Sequence, residues 1–194
     1  MLSPGYFDTI GKAIGAIAYA FANRSPNRSV GTFTRPDNVT PYIAGDIVGD
    51  VMTFDNVAPQ VGTTLLTNVE MTSGLAMPLP TTTTPKPDGL LEAYLYLFSS
   101  MPTLPAVAPI DNQPFAPIQQ DMSNRVATVY FATEIARRVG TFTLYEVVRN
   151  KNIWTSTDNR LYGVLVTARA WTPPATKGTF NVVLDFLPQP LVGL

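Results

Sequence analysis

The sequence reads as mainly β: an antiparallel β-sandwich or jelly roll of about eight strands, preceded by an N-terminal α-helix. Three observations carry that expectation. From about residue 29 apolar and polar residues alternate with a period of two, turns rich in Gly, Pro, Asn and Asp separate the runs, and proline gathers between them. The 194 residues divide into a helical arm over 1–28 and a β-sandwich domain over 29–194. No internal repeat and no second globular unit stands out.

The first 22 residues predict a helix. Ser3 can cap its N-terminus, Pro4 suits the first turn, and Asp8 lies near the positive end of the helix dipole. Phe7, Ile10, Ile14, Ile17 and Phe21 recur at spacings of three and four and form one bulky stripe. Beside it Gly11, Gly15, Ala18 and Ala22 form a small-residue stripe that lets the backbone approach another surface closely. Ala20-Phe21-Ala22 resembles a signal-peptide cleavage site, but the basic n-region is missing and Asp8 is out of place. The apolar run is also far shorter than the ~20 residues a bilayer span needs. The helix therefore packs either on its own domain or on a neighbouring subunit. Chain ends fray unless something holds them, so this segment and the apolar tail are expected to be clamped.

Strands are expected near residues 30–35, 47–54, 61–70, 90–98, 126–132, 141–149, 160–171 and 179–187. The last is the clearest: Phe180, Val182, Leu184 and Phe186 alternate with Thr179, Asn181, Val183 and Asp185, giving one dry and one wet face. In 160–171, Tyr162, Val164, Val166 and Ala168 oppose Leu161, Leu165 and Trp171, so both faces are apolar and the strand should be central or covered on both sides. Pro78, Pro80, Pro85 and Pro87 bracket a Thr run, and Pro102, Pro105, Pro109, Pro114 and Pro117 punctuate the next connection. Such segments form extended loops, since proline cannot donate to a ladder.

Composition removes much chemistry. With no Cys and no His there is no disulfide, no thiolate nucleophile, no Ser-His-Asp triad and no zinc site of the usual kind. A net charge of −1 argues against a nucleic-acid partner, which calls for a concentrated basic face. Only 14% of residues are charged, against the ~25% usual for soluble domains, so Thr, Asn and Pro make up much of the surface. That suits a surface lying against other protein.

Remaining candidates for catalysis are carboxylates: Asp46, Asp50, Asp55, Asp111, Asp121, Glu70, Glu92, Glu134 and Glu146. A glycosidase needs two held across a sugar, and no pair is marked out. Asp46 and Asp50 follow glycines and read first as turn residues bonding their own backbone; they lack the dense spacing of a calcium loop. Trp154, Tyr162, Trp171, Tyr94, Tyr96 and Tyr130 are either strand formers or a sugar-stacking surface of a carbohydrate-binding sandwich.

Two stretches carry a resemblance. One runs Phe33-Thr34-Arg35-Pro36-Asp37-Asn38-Val39-Thr40-Pro41-Tyr42-Ile43-Ala44-Gly45-Asp46-Ile47-Val48-Gly49. The other runs from Leu95-Tyr96-Leu97-Phe98 through Met101-Pro102-Thr103 and Ile110-Asp111-Asn112-Gln113-Pro114-Phe115 to Asp121 and the 126–131 strand. Together they resemble the virion structural proteins of tailed bacteriophages, in particular small capsid decoration or cement proteins. The resemblance implies a non-enzymatic β module on the outside of the head, without cofactor or metal. Its partner would be the major capsid protein, whose subunits it would bridge, and the chain would act as a homo-oligomer with no nucleic-acid or membrane partner. The N-terminal helix and the tail over 186–194 depart from the pattern and are expected to attach this chain to its own shell. The expected contacts are Phe7, Ile10, Ile14, Ile17 and Phe21 on the helix, Leu191 and Leu194 on the tail, and Asp111, Asn112 and Phe115 in the proline loop.

Overall fold

The computed structural model describes residues 27–36, 39–57, 62–74, 90–104, 110–139, 141–155, 159–174 and 178–188. The expected helix, its stripe from Phe7 to Phe21, and Leu191 and Leu194 lie outside the described residues. Among the described residues nine strands run in chain order: β1 (Asn27–Thr34), β2 (Met52–Phe54), β3 (Gly62–Ser73), β4 (Ala93–Phe98), β5 (Arg125–Phe131), β6 (Arg137–Val139), β7 (Phe142–Thr155), β8 (Leu161–Thr167) and β9 (Thr179–Pro188). A short helix, α1 (Gln119–Ser123), precedes β5 and a 3-10 turn over Thr133–Ile135 follows it.

All strand pairs are antiparallel, in one sheet of order β1-β9-β3-β7-β6 and a second of order β2-β8-β4-β5. Setting aside three-residue β6, each sheet holds four strands interleaved from both halves of the chain. This is the double Greek-key order of a jelly roll, and it decides between the two expected architectures. Asn27 at the start of β1 lies opposite Phe186 near the end of β9.

The core lies between the sheets. Phe180, Val182, Leu184 and Phe186 of β9 are completely buried, as their alternation requires. They meet Leu95, Leu97, Val129, Phe131, Leu161 and Leu165 from the opposite sheet in one cluster. At roughly 1.5–3 kcal/mol for each large side chain taken from water, such contacts dominate the favourable side of folding. The Phe54 ring fills the place where Gly31 and Gly163 have no side chain: a Cβ on either would lie 2.8 or 2.7 Å from it. Phe33 stacks on Phe180 with centroids 5.0 Å apart.

β8 is central and buried on both faces, as its two apolar sides predict. Its outer residues Val164 and Val166 join Ile47 and Phe98 in a second, smaller core, roofed by Val51, Leu104, Ile110 and Phe115. The loops after β1 and β4 supply that roof.

Several boundaries differ from expectation. Asn27 and Arg28, placed at the end of the arm, are already strand. Of 47–54 only Met52–Phe54 is strand, because Gly45 and Gly49 turn the chain at φ of 95° and 79°; Ile47 keeps one bridge to Val166. The 160–171 strand stops at Thr167, and Trp171 makes an isolated bridge to Tyr42. β6 was not anticipated: Arg137, Arg138 and Val139 are all exposed and show no alternation.

Candidate functional site

Two loop segments far apart in sequence, 42–49 and 110–115, are laced together on the outer face of the four-stranded sheet. Ile47 donates its N–H to Gln113 O at 2.8 Å, Asn112 N donates to Ile47 O at 2.8 Å, and Phe115 N donates to Gly45 O at 2.8 Å. The Asp111 carboxylate accepts the Tyr42 hydroxyl at 2.8 Å and the Gly49 N–H at 2.6 Å. Asn112 holds the left-handed conformation, φ 60°, that an Asn side chain tolerates and this tight turn needs. These are the two stretches that carry the resemblance, and their join is a hydrogen-bonded strut.

Asp46 behaves as a turn residue. Its carboxylate accepts Ile43 N–H at 2.7 Å, while its own N–H donates to Thr167 Oγ1 at 3.0 Å. Asp50 likewise accepts from Val51 N at 2.7 Å. Asp121, 3% exposed, accepts the N–H groups of Thr103 and Ile118 and fastens the 99–104 loop to α1. Around this framework Ile43, Met101, Ile118 and Met122 stand exposed, Ile43 at 65% and Met101 at 58%. Of the expected contact residues, Asp111 and Asn112 are half-buried with Asp111 turned to internal partners, and Phe115 is half-buried on Tyr96 at 4.7 Å between centroids.

Under the strut lies a buried polar group. Tyr42 is 1% exposed and Arg35 fully buried. Arg35 donates to Pro174 O at 3.2 Å and lies 6.0 Å over the Trp171 ring. Burial and the hydrogen-bonded Asp111 carboxylate push the Tyr42 phenol well above its ordinary value, with Arg35 opposing. Burial likewise raises Tyr145, whose hydroxyl donates to Leu91 O at 2.8 Å.

A row of aromatics crosses the same sheet. Tyr130 on β5 and Tyr94 on β4 face each other in register with centroids 5.0 Å apart, and Tyr96 follows at 6.2 Å from Tyr94. At its open end the Glu92 carboxylate accepts the Tyr130 hydroxyl and pairs with Arg169 Nε at 2.9 Å. That hydrogen bond pushes the Tyr130 phenol up to about 12. Of the six aromatics considered for sugar stacking, the structure brings these three together. Trp171 is core, 4% exposed, Tyr162 packs on the smaller core, and the Trp154 side chain lies outside the described residues.

The outer face of the five-stranded sheet is largely neutral. Thr32 and Thr72 flank Asn181, Thr34 opposes Thr179, and Val30 opposes Val183. Glu70 and Glu146 lie directly opposite each other, an unfavourable pairing by itself. Arg28, near Glu70 at 3.6 Å and Asp185 at 2.8 Å, offsets one side, and Arg137, bonded to Glu146, offsets the other.

The other acids are similarly engaged, Asp55 with Arg160 at 2.6 Å. Among the described residues no three His, Cys, Asp or Glu gather as a metal site, and no helix is long and apolar enough to cross a membrane. The Glu92–Arg169–Tyr130 group was missed in sequence because its members come from three separate strand ends. The burial of Arg35 was equally unsignalled, since only the fold brings Trp171 and Pro174 to it.

No family model matches the chain, and no curated protein matches it in sequence. One similar solved structure, titled as that of a marine algae virus of the order Picornavirales, aligns over 84% of this chain and 71% of that one, at 14% identity and a TM-score of 0.22. A superposition that loose transfers neither fold nor function. The jelly roll rests on the strand order of this chain alone.

Proposed function

We propose that the protein is a non-enzymatic cement or decoration protein of a phage capsid, bound to the outer surface of the head as a homo-oligomer and stabilising contacts between major capsid subunits. The observation that carries this reading is the pairing of Asn27 with Phe186, which roots the segments before β1 and after β9 side by side at one end of a sheet. In this reading residues 1–26, with Phe7, Ile10, Ile14, Ile17 and Phe21, and residues 189–194, with Leu191 and Leu194, would leave from these two neighbouring strand ends. The most apolar ends of the chain would act there as one anchor.

Other features support the reading. Jelly rolls recur in viral capsid domains, although the architecture also serves lectins and fixes no function by itself. The hydrogen-bonded strut between 42–49 and 110–115 unites the two phage-like stretches, and Ile43 on it and Ile118 and Met122 just beyond it in sequence are exposed. Low charge suits a surface that must be dehydrated on docking, because a buried charge is costly unless paired. Binding to assembled shells and not to free subunits stabilises the assembled state by mass action.

The test is cosedimentation of the chain with purified cognate capsid shells, comparing the full chain with forms lacking residues 1–22 or 189–194. Loss of retention on either deletion, with an unchanged circular dichroism spectrum, supports a common anchor. Undiminished occupancy with both deletions removes it. A full chain that does not bind intact shells at all sinks the capsid reading.

A further inference from the structure

The row formed by Tyr130, Tyr94 and Tyr96 has a polar rim that the capsid reading does not use. Tyr94 on β4 and Tyr130 on the outermost strand β5 are 37% and 36% exposed, and among the described residues β5 has no further strand beside it. Strand propensity explains tyrosines there, but not the fixed group beside them. Glu92 is anchored through its backbone, its carbonyl accepting Ala168 N–H at 2.8 Å, so the carboxylate and the adjoining Arg169 stand in a defined position at the ring edge. The Glu92 side chain is 16% exposed and that of Arg169 58%, so the pair opens to solvent on the arginine side.

We infer that Tyr94 and Tyr130, with Glu92 and Arg169 at their rim, form a binding site for a pyranose ring of a glycan. A pyranose has one face of C–H groups, which stacks on an aromatic ring, and an edge of vicinal hydroxyls, which a carboxylate and a guanidinium engage as acceptor and forked donor. The patch has that composition and that scale. Two tyrosines about one-third exposed offer far less than the ~800 Å² per partner that a stable protein interface buries. A sugar needs one ring face and a few placed polar groups. Tyr96, two residues along β4 on the same face, lies beside Tyr94 at 6.2 Å and stacks on Phe115 at 4.7 Å, so the row is braced at its inner end. Its residues are not those proposed for the anchor, and its failure leaves the capsid reading untouched.

The test uses the full chain and three probes that differ in linkage or in the C2 substituent, cellohexaose, maltohexaose and chitohexaose, followed by NMR chemical-shift titration and calorimetry. The expected result is saturable binding of at least one, with shifts centred on Tyr94 and Tyr130, weakened about tenfold by Tyr94→Ala and by Arg169→Gln. Val148→Ala, on the opposite sheet, should leave it unchanged. Arg169→Gln alters an exposed side chain and decides the matter if Tyr94→Ala proves unfolded. Absence of saturable binding with all three probes overturns the inference, as does binding indifferent to Arg169→Gln. Loss of capsid retention in these variants without any sugar binding also overturns it, making the patch a protein contact.

Discussion

The Tyr42 hydroxyl donates to the Asp111 carboxylate across 69 residues of sequence, at 2.8 Å to one oxygen and 3.0 Å to the other. The same carboxylate takes the Gly49 N–H, so one side chain fixes two turns of the first loop. Hydrogen bonds to a charged group contribute about 1.5–3 kcal/mol, and an orphaned donor costs more than the bond was worth. Asp111→Ala should lower unfolding free energy by about 2–3 kcal/mol, and Tyr42→Phe by about 1–2 kcal/mol. In a double-mutant cycle by urea denaturation the two should couple by about 1 kcal/mol. Additive effects would mean that the bond does not hold the loops.

Gly45 and Gly49 make a controlled pair. Both have positive φ, but a Cβ on Gly49 would fall 2.0 Å from the Phe33 ring, whereas nothing lies within 4 Å of one on Gly45. Gly45→Ala should cost only the backbone strain, about 1 kcal/mol. Gly49→Ala adds overpacking against the Phe33–Phe180 stack and should cost on the order of 3 kcal/mol or more. Equal melting temperatures for the two variants would contradict this packing.

Alkaline pH should unfold the protein through its buried phenols. Tyr42 and Tyr145 are held above the ordinary tyrosine value of about 10, so the folded state favours their neutral forms. Their contribution is fully present below pH ~10 and is lost as pH rises through the folded values. The urea midpoint should therefore fall steeply above pH ~10 and less steeply in Tyr42→Phe. An identical slope in the two proteins would exclude Tyr42 as a source.

Thr167 separates volume from hydrogen bonding. Its hydroxyl donates to Ile43 O at 2.5 Å and accepts Asp46 N–H at 3.0 Å, and the residue is 2% exposed. Thr167→Val keeps the shape but removes both bonds, leaving Asp46 N–H and Ile43 O only their longer mutual bond of 3.3 Å, so a loss of about 1–2 kcal/mol is expected. By contrast, Arg160→Ala breaks only an exposed pair with Asp55 and should change stability by less than ~1 kcal/mol.

Much of the fold was legible because a jelly-roll strand has one dry face. Phe180 to Phe186 announce β9, and the two apolar sides of 160–171 announce a strand covered on both. β6 gave no such signal, since its register against β7 comes from chain reversal and all three residues are exposed. The strand ends at Thr167 and Met52 follow from glycines and hydrogen bonds that only the folded loops reveal. The site was less legible for the same reason. Asp111 could be singled out within its proline loop, but its partners Tyr42 and Gly49 sit on a segment that only the sheet order brings near. Glu92 and Arg169 are joined across β4 and β8 and carry no local pattern at all.

The hydroxyl-lined face of the five-stranded sheet has one more consequence. Its acids Glu70 and Asp185 share Arg28 and its Glu146 has Arg137, and the remaining residues there are largely Thr, Asn and Val. A body resting on that face would release few counterions and gain little from long-range attraction, which salt screens within about 10 Å at 0.1 M. Contact made there would hold nearly as well in concentrated salt as in dilute buffer.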